Sequence, residues 1–225
     1  NPKQDLHLNV TSNMCPPDKK LKEKYFNMAQ EICMQDKVEH MMQFVSVDAW
    51  GKRAEYIRNG LDFNYMMDNV EEFLERIPGR NSITFICTYN NLSITSMDQL
   101  LEKILELRAK YSTTYQRIWF DVPLLRQPAW QQITLLPESY QMIHEENIEY
   151  MQKHSGNGNG YSKFNDFEIQ KMQRNLAYWR ENADASMQNK KNFYAFFNEH
   201  DRRRTTRFLN TFPEMEEFWE ECKNA

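Results

Sequence analysis

The sequence predicts an α/β protein in which a parallel sheet is followed by a helical region. Four short runs rich in β-branched and aromatic residues alternate with amphipathic helical segments over residues 1–125. From Glu138 onward the strand signal disappears and helical spacing takes over. Strands that alternate with helices build parallel sheets through right-handed crossovers, because a right-twisted strand feeding a helix packs back onto the sheet only in that hand.

The elements follow in order. Residues 6–12 (LHLNVTS) read as a strand. Pro16 and Pro17 punctuate, Asp18 caps, and Leu21, Tyr25, Met28, Ala29, Ile32 and Cys33 fall at helical spacing. Residues 42–48 are the second strand, ending in a sharp turn at 48–51. Asp62 caps a helix carrying Phe63, Met66, Met67, Val70, Phe73, Leu74 and Ile77, which Pro78-Gly79 ends. A strand over 82–89 leads to a helix with Met97, Leu100, Leu101, Ile104, Leu105 and Tyr111; a strand over 117–123 closes the series. The apolar stripes of these helices are assigned to packing. Residues 124–137 form a long connection, so the expected division is 1–137 and 138–225. GNGNGYS at 156–162 is a flexible break, and Pro213 sits where a helix begins.

Composition limits the function. The chain has 225 residues, 27% of them charged, with net charge −4 and mean hydropathy −0.82. That balance gives no reason to expect nucleic acid or an anionic membrane as partner. No apolar run approaches the roughly 20 residues that cross a bilayer. Cys15, Cys33, Cys87 and Cys222 form no C-x-x-C motif and suit reduced thiols. Without a signal peptide, the cytoplasm is the expected compartment.

The strand ends are polar. The first ends Thr11-Ser12-Asn13, the second passes Ser46 to Asp48, the third ends Thr88-Tyr89-Asn90-Asn91, and the fourth holds Asp121. Any one of these is explained by helix caps and turns. Four together predict a ligand rim, since open and barrel-shaped parallel sheets bind ligands at the strands' carboxyl ends. Neither a G-x-G-x-x-G nor a P-loop is present. The expected ligand is a small polar molecule, with Arg58 meeting a carboxylate and Ser46 a hydroxyl.

FVSVDAWGKRAEYIRNGLDFNYMMDNVEEFL (44–74) resembles the middle of a radical S-adenosylmethionine (SAM) enzyme. LHLNVTSN resembles its preceding strand, and SITFICTYNNLSITSMDQLLEKI the following strand and helix. RIWFDVPLLRQPAWQQITLLP and FYAFFNEHDRRRTTRFLNTFPEMEEFWEEC resemble the closing strand and helical tail of the twitch/SPASM-type subgroup. The resemblance implies a partial (β/α) barrel of parallel strands followed by a helical carboxyl-terminal region. It implies that Ser46 and Arg58 hold the ribose and carboxylate ends of SAM, that Asp48 shapes the turn between them, that Asn91 is a polar position at the next strand end, and that the backbone around Leu124 flanks the adenine. It also implies a [4Fe–4S] cluster held by C-x-x-x-C-x-x-C. That triplet is absent, and family order puts it upstream of residue 1. The chain begins with Asn rather than Met, directly before a strand. The expectation is the carboxyl-terminal part of a longer enzyme whose missing amino-terminal half supplies the cluster; a degenerate homologue is the other account.

On that resemblance the expected function is generation of a 5′-deoxyadenosyl radical to modify an unidentified peptide or small molecule. The alternative is a non-catalytic α/β module that binds a nucleoside-like ligand or a protein partner. A C-x-x-x-C-x-x-C encoded upstream of Asn1 separates the two. No metal ligands are assigned within the chain. Arg202, Arg203, Arg204 and Arg207 read as a solvated helix face paired with the acidic 213–221 segment. The five histidines show no metal spacing; His144 and Glu145 should point apart on their helix. Trp130 either lines a substrate mouth, plugs a barrel or packs on the tail, and Gln131 sits beside it.

Overall fold

The computed structural model describes residues 6–156 and 160–225, so the expected break at 156–162 lies partly outside the described residues. The order is β1 (His7–Ser12), α1 (Lys19–Met34), β2 (His40–Ser46), α2 (Gly51–Ile57), α3 (Phe63–Arg76), β3 (Asn81–Ile86), α4 (Met97–Tyr111) and β4 (Ile118–Asp121). Then come α5 (Gln141–Lys153), α6 (Asp166–Glu181), α7 (Met187–Arg204), α8 (Phe208–Thr211) and α9 (Glu216–Lys223). The strands form one parallel sheet in the order β1-β2-β3-β4. The order never reverses, so right-handed crossovers carry α1, α3 and α4 to the same face.

Alternation along the strands follows from this layering. Met41, Gln43 and Val45 of β2, Ile83 and Phe85 of β3, and Ile118 and Phe120 of β4 are buried under the helices. Gln43 is polar there because its amide is used: Tyr25 donates to it at 2.5 Å, and it donates to Ser12 at 3.0 Å. The opposite face is less covered, with Phe44 and Ser46 half-buried and Trp119 39% exposed.

Among the described residues β4 is an edge strand, and side chains contact the carbonyls on its free side. Arg108 Nε donates to Ile118 O at 3.0 Å, and Asn175 Nδ2 donates to Val122 O at 3.0 Å. Such contacts block edge-to-edge pairing. Arg108 is fully buried and pairs with Glu168 at 2.5 Å. Glu168 also completes a capping box with Asn165 at the start of α6. One carboxylate thus serves a helix start, a buried cation and, through that cation, a sheet edge.

The helical region closes around aromatic rings. Phe193 and Phe197 of α7, Phe208, Phe212 and Phe218 are all buried, and Phe208 stacks on Trp219 with centroids 4.5 Å apart. Thr205, at φ 55°, ends α7 in the left-handed region and turns the chain back. Among the described residues, no helix is long and apolar enough to cross a membrane.

Candidate functional site

Asp48 lies two residues beyond the end of β2. The turn that follows needs Gly51, whose φ is +56°. Asp48 is buried; its Oδ2 lies 2.7 Å from Arg58 Nη2, and its Oδ1 accepts from the Thr88 backbone N–H at 3.0 Å. Burial raises the Asp48 carboxyl above the usual carboxylate range, against the opposing pull of Arg58 and Thr88. Arg58 sits at the carboxyl end of α2, and its Nε is buried with no acceptor.

Asp48 and Thr88, but not Arg58, line a cavity of about 240 Å³ at the carboxyl ends of β2 and β3. Asp48, Thr88 and Asn90 form its floor, Leu125 and Gln131 one side, and α7 its roof. Asn90 is satisfied within its own loop, giving a hydrogen bond to Thr88 O and taking one from Leu92 N at 2.9 Å each.

The roof contributes Phe196, Phe197, His200 and Arg204. Both His200 Nε2 and Arg204 Nη1 reach Tyr56 O at 3.1 Å. A carbonyl only accepts, so His200 carries its proton on Nε2. Its Nδ1 is buried without a hydrogen-bond partner, 3.6 Å from Asp201 Oδ1. Burial, and then Arg204, lower the His200 pKa. Asp201 itself accepts from Tyr56 Oη at 2.8 Å, Thr206 Oγ1 at 2.7 Å and Phe208 N at 2.6 Å. This cluster clamps α7 to α2 and fixes the roof over Asp48.

Of the residues expected from the sequence, Asp48 and Arg58 pair, and Asp48 lines the cavity; Ser46, half-buried at the end of β2, and Arg58 are not among the residues that line it. Asn91 does not line it either: it is fully buried and donates to Trp130 O at 3.0 Å, while its neighbour Asn90 lines the cavity. Leu124 is half-buried and continues the β3–β4 ladder by bridging to Tyr89; the next residue, Leu125, faces the cavity. Trp130 packs on the tail, 4.4 Å from the Phe196 ring, and Gln131 lines the cavity. Sequence reasoning missed His200 and Arg204. The available signal was their i, i+4 spacing with Phe196, which puts all three on one helix face.

The rest of the basic cluster is solvated. Arg202 and Arg203 have side chains 71% and 72% exposed and pair with Glu199, not with the 213–221 segment. His144 and Glu145 do point apart, His144 inward to Tyr89 and Glu145 outward to Arg180.

The cysteines do not fit an iron–sulfur cluster. Among the described residues, no three His, Cys, Asp or Glu side chains are grouped to hold a metal. Burial raises the Cys33 and Cys87 thiols and pushes Cys222 up to about 12, and the four cysteines lie on separate segments of the chain. No family model, no curated protein and no solved structure matches the chain.

Proposed function

We propose that this chain binds S-adenosylmethionine at the carboxyl ends of its strands, as the cofactor-holding part of a radical SAM-type enzyme acting on a peptide or small molecule. What supports this most is the pairing of Arg58 with Asp48, a residue that lines the cavity at the strand ends, with the Arg58 Nε left without an acceptor. Asp48 holds one Arg58 nitrogen, and a ligand carboxylate that reached Arg58 would meet an Nε that has no acceptor. Ser46 offers a hydroxyl to the ribose, and the Leu124–Leu125 backbone offers an extended segment to the adenine. Phe197, buried in the cavity roof, limits water there, which would strengthen a charged contact to a ligand. In enzymes of this type a [4Fe–4S] cluster supplies the electron that cleaves SAM; among the described residues this chain offers it no ligand set. The cysteine placement is also the observation that favours the second reading, a non-catalytic module binding a nucleoside-like ligand.

Calorimetric titration of the chain with SAM, S-adenosylhomocysteine and adenosine tests the proposal. Both carboxylate-bearing ligands should bind, and Arg58→Lys should weaken them by about ten-fold or more, because the forked contact is lost. Equal affinity for adenosine and SAM would favour the module.

A further inference from the structure

A second hollow lies in the helical region, lined from the start of α5 and the end of α6. Its volume is about 640 Å³, within the range of about 300–1,000 Å³ of small-ligand sites. It shares no lining residue with the Asp48 cavity. Three of its lining residues are buried: Leu136, Gln141 and Trp179. Trp179 is fully buried, and its Nε1–H has no acceptor. Buried donors are nearly always paired, so an indole N–H left over in the wall of a hollow calls for an acceptor from outside the chain. Gln141 also has a donor to spare. Its Oε1 accepts from Arg180 Nε at 3.4 Å, and its Nε2 donates to nothing among the described residues.

The exposed part of the lining has its own character. Glu145 is spent on Arg180. Glu138 is exposed and has no ion-pair partner among the described residues. Two carboxylates, Glu138 and Glu145, against one guanidinium, Arg180, leave the lining with a net charge of −1. Met142, 63% exposed, and Leu136 add apolar surface. What fits is a ligand that brings a carbonyl to the spare donors, an aliphatic group to Met142 and Leu136, and a cation to Glu138. A peptide carries all three in consecutive residues. A simple anion does not fit, because the one cation is already held by Glu145 and Glu138 repels it.

We propose that this hollow binds a peptide segment with a basic side chain next to an apolar one. A main-chain carbonyl accepts from Trp179 Nε1 and Gln141 Nε2, and the cation pairs with Glu138. The site and its ligand are separate from the SAM reading, so the inference goes beyond it.

Trp179 is one of five tryptophans, and its indole N–H gives its own resonance in a heteronuclear NMR spectrum of the full chain. Titration with N-acetyl-leucyl-lysine amide should move that resonance saturably and leave the other four in place. The acidic probe N-acetyl-leucyl-glutamate amide should bind about five-fold more weakly, and Glu138→Lys, at an exposed position, should reverse the preference. Gln141→Met keeps the side-chain length and removes the donor; it should weaken the lysine probe roughly ten-fold. A Trp179 resonance unmoved at ~10 mM probe, as for an indole that meets a bound water only, would overturn the proposal. So would equal binding of the two probes, Glu138→Lys without reversal, or Gln141→Met without loss. SAM titration reads a different cavity, so failure of one proposal leaves the other standing.

Discussion

His144 and Asp48 show how burial tunes single groups in opposite directions. His144 is fully buried; Nε2 donates to Met172 O at 2.9 Å, and Nδ1 accepts from Tyr89 Oη at 2.7 Å. Both nitrogens are used by the neutral ring, and burial lowers its pKa. The unfolded chain therefore takes up a proton that the folded chain resists, and stability falls as pH drops through the ordinary histidine range. Asp48 has the opposite sign. Its pKa is raised, so the folded chain retains a proton that the unfolded chain releases, and stability falls as pH rises through the window just above the ordinary aspartate value. Melting temperatures against pH should show both slopes. Asp48→Asn should flatten the acidic one alone, and His144→Gln the one near neutrality.

At the scale of elements, the periodic stripes were legible where a helix is enclosed. All seven apolar positions read for α3 and its end are buried, from Phe63 to Ile77. In α1 the same reading misassigns Leu21 and Met28 to packing, because periodicity reports an apolar face and not what covers it. Strand ends shifted by one to three residues: the second runs 40–46 rather than 42–48, and the third stops at Ile86. The β4 edge was not legible, since Arg108 and Glu168 are sixty residues apart and their pairing is tertiary. Their energetics are testable. Removing one partner of a buried pair typically costs 3–5 kcal/mol, roughly, because the other charge stays buried. Glu168→Ala should lose that much in urea denaturation and also the α6 cap. Glu168→Gln should lose less, as its amide oxygen still accepts from Arg108.

At the scale of the whole molecule, α7 links the aromatic interior of the tail to the roof of the site. The cavity floor could be read from strand ends; the roof could not, because it depends on a helix from the far end of the chain folding back over Asp48. Arg204 reads from the sequence as part of a solvated face, and His200 as one of five histidines without metal spacing; the carbonyl of Tyr56, which both reach, fixes their direction. Phe193 is fully buried among Phe197, Phe208 and Phe218. Phe193→Ala should cost about 3–5 kcal/mol by opening a cavity and should loosen the roof, so ligand affinity should fall along with stability. Tyr56→Phe removes only the hydroxyl bond to Asp201 and should affect the roof with less loss of stability, about 1 kcal/mol. The measurement that tests the central claim most directly is a heteronuclear NMR titration of the chain with SAM. The account predicts saturable shifts confined to Ser46, Asp48, Arg58, Thr88, Asn90, Leu125 and His200, lost in Arg58→Ala. Shifts elsewhere, or no shifts at millimolar SAM, would contradict it.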